Sequence, residues 1–174
     1  MSTTNSDIMK NEIVKRIIKN LEKKEFKVVV IDKIEEVKTF ITKNIPDTSS
    51  IGFGDNLNLN IIELLKKQGN KILNNWKLGK TNRTLDTFEY FPKPDYYLSS
   101  IDTVTDDGTI VNFDNAGNKF ISDDVLPKHI IAFAVVNKLL KNLDEASNKL
   151  SVQIKGILDS KPKYTDFTVV LLSN

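Results

Sequence analysis

Short apolar runs and helical stripes of apolar residues take turns along the chain. An apolar residue recurs every three or four positions from Ile13 to Leu21, which predicts a first helix. The same spacing predicts further helices around 34–41, 59–66 and 143–154. Six intervening runs have the length of strands: KVVVI at 27–31, SSIGF at 49–53, NKIL at 70–73, DYYLSS at 95–100, HIIAFAVV at 129–136 and FTVVLL at 167–172.

The longest strand-length run, HIIAFAVV at 129–136, is apolar instead of alternating with polar residues, and so are most positions of KVVVI and FTVVLL. Uniformly apolar strands are typical of parallel sheets that are covered on both faces. Because these runs also alternate with helices, we expect an α/β fold with a mostly parallel sheet flanked by helices. A chain of 174 residues is then most simply a single domain spanning 1–174.

The charge and composition exclude several classes of function. A net charge of +2 is too small for the basic surface of a nucleic-acid-binding protein or of one that binds an anionic membrane. No apolar run approaches the ~20 residues of a membrane span. The first twelve residues lack the features of a signal peptide, so we expect the protein in the cytoplasm.

The chain has no cysteine, which excludes a disulfide, a cysteine nucleophile and cysteine-ligated zinc. It also excludes an iron–sulfur cluster held by thiolates of this chain. Electron transfer would therefore require a partner, and the cofactor remains an open question at this stage.

The segment IGFGDNLNL places two glycines between a predicted strand and a predicted helix. Gly52 and Gly54 would let the backbone approach a ligand closely. The amides of Asp55, Asn56 and Leu57 would open the helix and receive an anionic group. The alternative is an ordinary strand-to-helix turn with Asp55 or Asn56 as its N-cap.

The segment TVTDDGTIVNFDNAGNKF at 103–120 contains two turn signals, Asp107-Gly108 and Asn115-Ala116-Gly117, around a strand-like alternation. It predicts a β-hairpin inserted around 105–120. A calcium loop is excluded, since Asp107 occupies the position that requires glycine. A magnesium site built from Asp102, Asp106 and Asp107 stays open, as does a set of solvated turn residues.

The only histidine, His129, begins an apolar run, and we interpret it as a residue at the end of a strand and not as a general base. Asn137 and Lys138 end the same run, where ligands gather in α/β proteins. They would contact a substrate or serve as a helix cap and a solvated lysine; the sequence leaves both open.

Three of these segments, SIGFGDNLNL, SSIDTVTDDGTIVNFDNAGNKF and PKHIIAFAVVNKLLKNLDEA, together resemble the LUD (lactate utilisation) domain family, formerly DUF162, in order and spacing. The chain differs from the pattern of that family at Asn56, at Asp102-Thr103 and at Val135. The positions that match its central motif are Thr105, Asp106, Asp107, Gly108, Gly117, Asn118 and Lys119.

The resemblance implies the fold of glucosamine-phosphate deaminases, ribose-phosphate isomerases and CoA transferases, with a ligand over the strand ends. It implies a component of lactate or similar hydroxy-acid utilisation that binds a small anionic metabolite, or alternatively a non-catalytic or regulatory binding module. An iron–sulfur oxidoreductase subunit would be its partner. Self-association would involve an aromatic patch, unless these residues are buried: Phe88, Tyr90, Phe91, Tyr96 and Tyr97.

The positions and chemistry of the residues, taken together with the resemblance, give candidate roles. Asp106 or Asp107 would be the catalytic acid or base, with a pKa raised by shielding from water; alternatively, Asp107 caps its own turn. The candidate ligand-binding residues are Gly52, Gly54, Asp55, Asn56, Thr105, Gly108, Asn118, Lys119, Asn137 and Lys138.

Overall fold

A computed structural model describes residues 11–54, 57–73, 93–112, 127–139, 142, 144–145 and 156–173 of the chain. The helices are α1 (Glu12–Lys23), α2 (Ile34–Asn44) and α3 (Leu59–Gln68), and a short 3-10 helix spans Val136–Lys138. The strands are β1 (Lys27–Ile31), β2 (Ser50–Phe53), β3 (Lys71–Ile72), β4 (Tyr96–Ser100), β5 (Thr103–Val104), β6 (Ile110–Asn112), β7 (His129–Val135), β8 (Gly156–Leu158) and β9 (Asp166–Leu172).

The large sheet has six strands in the order β3-β2-β4-β7-β9-β1, and all its pairs are parallel. Tyr96 of β4 lies opposite His129 of β7, and His129 lies opposite Asp166 of β9, so these strands begin at the same edge. The predicted α/β fold with a mostly parallel sheet flanked by helices is confirmed. The helix predicted at 143–154 falls mainly outside the described residues.

A second, antiparallel sheet has the strand order β5-β6-β8. Thr103 pairs with Val111 and Val104 with Ile110, which forms the first part of the hairpin predicted around 105–120. The predicted turn at 115–117 lies outside the described residues. The third strand, β8, comes from a distant part of the chain and pairs Leu158 with Ile110.

Apolar side chains cover both faces of the large sheet. On one face, α1 and the small sheet bury Ile17, Leu21 and Val104 against strand residues such as Phe167. On the other face, α2 and α3 bury Ile41 and Leu65 against Leu98 and Val170, among others. This two-sided burial explains why the strands lack polar alternation.

Tyr97 is only 1% exposed and belongs to the core between α1 and the large sheet. It therefore takes no part in the aromatic surface patch that the sequence suggested. Tyr96 is half-buried and packs against the core on the opposite face. Within the described ranges, no helix is long and apolar enough to cross a membrane.

Candidate functional site

The chain leaves the neighbouring strands β2 and β4 in opposite directions. From β2 it continues through α3 to β3, on the outer side, whereas from β4 it continues through the small sheet to β7. In α/β proteins such a topological switch point leaves a crevice outside the carboxyl ends of the two strands, where ligands bind. A ligand site is therefore expected outside the carboxyl ends of β2 and β4.

Gly54 directly follows β2 at this edge and is buried. Its N–H donates to the Leu98 carbonyl of β4 at 2.9 Å. A Cβ added at Gly54 would lie 3.0 Å from Ser99 Oγ and 3.2 Å from Tyr97 Oη. The residue is therefore a glycine because β4 side chains approach its backbone closely, and two hydroxyl groups lie beside it.

Ser99 and Tyr97 are contacts that our sequence reasoning missed. Both are buried, and the Ser99 hydroxyl donates to the carbonyl of Ser100 at 3.1 Å. A signal was present in the sequence, because alternate residues of a strand such as DYYLSS share a face. Gly52, by contrast, lies inside β2 opposite Tyr97, buried within the sheet and not at its edge.

The turn from β2 to α3 continues at Leu57, whose N–H donates to the Gly54 carbonyl at 3.1 Å. Asn58 is the N-cap of α3, and its side chain accepts from the Asn60 N–H at 2.9 Å. The alternative that Asp55 or Asn56 is the N-cap is therefore wrong. Asp55 and Asn56 themselves lie outside the described residues. The helix α3, whose amino end has a partial positive charge, is the next element along the chain after β2.

Asn137 and Lys138 lie in the 3-10 helix that follows β7, and both are exposed. The carbonyl of Lys138 accepts a hydrogen bond from the hydroxyl of Thr103, which comes shortly after β4. Asn137 and Lys138 therefore lie at the same edge of the sheet as Gly54. We call Gly54, Ser99, Asn137 and Lys138 the carboxyl-edge site.

The residues from Thr105 to Thr109, which we call the acidic turn, connect β5 to β6. Gly108 N–H donates to the Thr105 carbonyl and Thr105 N–H donates to the Thr109 carbonyl, both at 2.9 Å. The Asp107 carboxylate accepts from the hydroxyls of Thr105 and Thr109, the latter at 3.0 Å. Asp107 therefore stabilises the conformation of its own turn.

The acidic turn packs against α1. Arg16 Nε donates to both carboxylate oxygens of Asp106, at 2.9 and 3.1 Å, and Asn20 Nδ2 donates to the Asp106 carbonyl at 2.8 Å. Gly108 has φ +78°, and a Cβ there would lie 2.9 Å from the backbone of Asn20 and of Leu21. Gly108 is thus required both by its left-handed conformation and by the closeness of α1.

The environment of Asp107 changes its pKa in the direction opposite to our expectation. Burial raises the pKa of Asp107, but the hydrogen bonds from Thr105 and Thr109 and the charge of Lys24 outweigh burial and lower it. Asp159 joins the same network, since it accepts from Lys24 at 2.8 Å and from the Thr109 hydroxyl at 2.9 Å. Asp107 is therefore ionised at neutral pH, which does not suit a general acid.

The structure divides the sequence-predicted site residues into two groups. Gly54 makes its described contacts with β4 and the start of the α3 turn, whereas Gly108 contacts Thr105 and α1, so these two sets share no residue. Asn118 and Lys119 lie outside the described residues. In the part of the chain that the structure describes, no three His, Asp or Glu residues are grouped so that they would hold a metal ion.

A comparison with protein families matches residues 14–169 to the LUD domain. The chain belongs to the LUD domain family. The fold of this LUD domain is similar to the crystal structure of a DUF162 family protein from Deinococcus radiodurans, with a TM-score of 0.59 and 11% sequence identity. The similarity covers 94% of this chain and 97% of that one. The comparison with curated proteins found no match.

His129 of this LUD domain begins β7 and lies at the amino edge of the large sheet, opposite the carboxyl-edge site. Its ring stacks on Tyr96 with 4.5 Å between centroids, and its Nδ1 lies 3.5 Å from Asp166 Oδ2. The interpretation of His129 as a residue at the end of a strand agrees with this position. A histidine at the amino edge is not placed to act on a ligand at the carboxyl edge.

Proposed function

We propose that this LUD domain takes part in the use of lactate or a similar small hydroxy acid, and that it binds a small anionic metabolite at the carboxyl-edge site. Membership of the family supports the first half of the proposal. The exposed ammonium of Lys138 and the amino end of α3 support the second, because both favour a negatively charged group nearby.

The location of the ligand is inferred from the position of Gly54. Gly54 directly follows β2 and lies beside the Ser99 hydroxyl of β4, at the point where the chain leaves the two strands in opposite directions. The Gly54 N–H and carbonyl are hydrogen-bonded to Leu98 and Leu57, and Ser99 and Tyr97 fill the space of a Cβ. A ligand at this point would therefore lie outside the Gly54 turn, above the carboxyl ends of the two strands. Lys138 would then provide the positive charge from the strand on the other side of β4.

The state of Asp107 favours the second candidate, a binding or regulatory module without catalysis of its own. A carboxylate that accepts hydrogen bonds from Thr105 and Thr109 and has a lowered pKa is a weak base and is not available as an acid. If a reaction takes place at the carboxyl-edge site, its redox group would come from a partner such as an iron–sulfur oxidoreductase subunit. We therefore propose a ligand-binding module as the first candidate function and an enzyme as the second.

Thermal-shift screening tests the binding proposal. Lactate, sugar phosphates, CoA and nucleotides are added separately, and a ligand at 100 times its Kd stabilises the folded protein by about 2.7 kcal/mol. We expect an anionic hit whose effect is lost in Lys138→Ala. The control is Lys67→Ala, an exposed lysine at the end of α3, which should retain the full shift. A hit that stabilises Lys138→Ala as much as the wild type contradicts the assigned site.

A turnover assay on the hit separates an enzyme from a binding module. The protein is assayed with the hit alone, and then with an iron–sulfur oxidoreductase and an electron acceptor added. Turnover that disappears in Lys138→Ala but persists in Asp107→Asn is the result expected of an enzyme working at the carboxyl-edge site. Binding without turnover under both conditions favours the non-catalytic module.

A further inference from the structure

The amino edge of the large sheet carries a group of lysines at the beginnings of three adjacent strands. Lys27 is the first residue of β1, Lys128 directly precedes β7, and Lys161 and Lys163 lie in the turn before β9. Because these strands are parallel neighbours, the four residues come to one edge. We call them the lysine edge.

Hydrogen bonds show that the lysine edge is one continuous surface. Asp166 at the start of β9 donates its N–H to the Lys128 carbonyl and accepts from Lys27 Nζ, both at 2.8 Å. The Thr165 hydroxyl donates to the Pro127 carbonyl at 3.2 Å, which fixes the turn before β9 against the start of β7. Lys27, Lys128 and the 161–165 turn therefore surround the same aspartate.

The 161–165 turn presents an exposed tyrosine on this surface. Lys161 Nζ donates to the carbonyls of Pro162 and Thr165, each at 3.1 Å, and so holds the turn closed. Tyr164 is nevertheless 74% exposed, and Lys163 Nζ lies 5.4 Å from the centroid of its ring. A large aromatic side chain on a rigid turn has little conformational entropy to lose on binding.

The four lysines of the lysine edge outnumber the described carboxylates beside the same strand starts, which are Glu25 before β1, Asp95 before β4 and Asp166 at the start of β9. Lys27 pairs with Asp166 at 2.8 Å. Across the described ranges, no ion pair joins Lys128, Lys161 or Lys163 to a carboxylate, and the carbonyls that Lys161 contacts carry no net charge. None of these lysines lies in the last turn of a helix, so the helix dipole does not account for their position.

We infer that the lysine edge, with Tyr164 as its anchor, is a docking surface for an acidic patch on another protein. Tyrosine is among the residues that contribute most to protein interfaces, and surrounding charges steer and orient the partner. Asp166 within the surface would repel a continuous phosphate backbone, whereas separate carboxylates on a protein can avoid it. A single exposed tyrosine offers a membrane too little apolar area for insertion.

This surface lies at the edge opposite the carboxyl-edge site, so a protein partner and a metabolite would bind without competing. The inference does not depend on the proposed function.

Fluorescence anisotropy with a labelled peptide of ten glutamates tests the inference at 50 mM and 300 mM NaCl. The full chain is compared with Lys128→Glu/Lys163→Glu, with Tyr164→Ala and with the control Lys33→Glu/Lys38→Glu. The control pair is exposed, with Lys33 at the N-cap of α2 and Lys38 within that helix, and it has the same change in charge. We expect salt-sensitive binding that is weakened roughly tenfold by the first pair, a few-fold by Tyr164→Ala and less than about twofold by the control. Melting temperatures of all variants are measured alongside, and Tyr164→Ala, at an exposed position, keeps the test valid if a charge-reversed variant fails to fold.

Lack of peptide binding by the wild type at 50 mM NaCl overturns the inference. Equal losses in the lysine-edge pair and the control pair overturn it as well, since they would indicate a response to net charge alone. A single-stranded oligonucleotide and vesicles containing an anionic phospholipid serve as further probes. If either probe binds more tightly than the peptide, with the same dependence on Lys128 and Lys163, the partner is a nucleic acid or a membrane and not an acidic protein.

Discussion

The carboxyl-edge site and the acidic turn each contain a glycine beside polar residues, but the structure uses the two glycines differently. Gly54 accommodates the side chains of Ser99 and Tyr97, whereas Gly108 adopts a left-handed conformation against the backbone of α1. The acidic side chains of the turn are hydrogen-bonded to residues of the chain itself. An acidic cluster therefore marks a ligand site only when its hydrogen-bonding groups are not already used within the chain.

The acidic turn is also a junction between distant parts of the chain. Arg16 and Asp106 are 90 residues apart, and Thr109 and Asp159 are 50 residues apart. Contacts of this kind connect α1 and the segment after β8 to the small sheet. We therefore expect substitutions in the acidic turn to change the free energy of unfolding, and substitutions at the carboxyl-edge site to change ligand binding.

Gly108→Ala should have the largest effect on stability. A left-handed alanine costs about 1–2 kcal/mol, and the clash of its Cβ with the α1 backbone at 2.9 Å adds a similar amount, giving about 3 kcal/mol. The control is Gly69→Ala, where φ is +108° but no atom lies within 4 Å of the added Cβ. Urea denaturation should show a loss of only about 1–2 kcal/mol for the control, which is the cost of the left-handed conformation alone. Equal losses of stability in the two variants would mean that the α1 backbone does not restrict the space at Gly108.

Gly54→Ala should lower stability by about 1–2 kcal/mol, because its Cβ would lie 3.0 Å from Ser99 Oγ and 3.2 Å from Tyr97 Oη. Part of this loss should disappear when the nearer hydroxyl is removed. We expect a coupling of at least 0.5 kcal/mol, in the relieving direction, in a double-mutant cycle of Gly54→Ala with Ser99→Ala. Additive effects would contradict the close approach of β4 to Gly54.

Asp107→Asn should lower stability by about 1 kcal/mol at neutral pH, through weakened hydrogen bonds to Thr105 and Thr109. The pKa of Asp107 is lowered in the folded protein, so the stabilisation is fully present above the unfolded value of about 3.9 and is lost as pH falls through the folded pKa. The difference between wild type and variant should therefore be constant from pH 5 to 8 and shrink below pH 4. A difference that instead shrinks as pH rises would indicate a raised pKa.

Arg16→Gln should have the smallest effect. The side chain of Arg16 is 54% exposed, and water and salt screen its ion pair with Asp106. We expect a decrease in melting temperature smaller than that of Asp107→Asn, and one that vanishes when the NaCl concentration is raised to 1 M. A decrease as large as that of Gly108→Ala would show that Arg16, and not the glycine, holds α1 to the acidic turn.

The local patterns predicted the elements of the large sheet because its strands are apolar on both faces. KVVVI became β1, and HIIAFAVV became β7, which ends at Val135, one residue earlier than predicted. The strand β8 was not predicted, since its three residues pair with β6, which lies far away in the sequence and leaves no local signal. Antiparallel pairing over such a separation becomes visible only after folding.

The candidate site was predicted less completely than the fold, for a similar reason. Gly54 and Lys138 were predicted as site residues from their positions after two strands, because the carboxyl ends of parallel strands share an edge. The neighbours of Gly54 depend on the register between β2 and β4, which the sequence does not state. The direction of the Asp107 pKa depends on the geometry of Thr105 and Thr109 and on Lys24 of another element. The residue types therefore indicated which chemistry was possible, and only the contacts in the folded protein showed what each residue does.

A titration with lactate, monitored by amide nitrogen–proton correlation spectra, tests the central claim most directly. The chain contains seven glycines, whose amide signals are assigned with single substitutions. We predict that the amide signals of Gly54 and Lys138 shift as lactate is added, while that of Gly108 does not move. Shifts at Gly108 with none at Gly54, or no shift at either residue up to saturating lactate, would contradict the account.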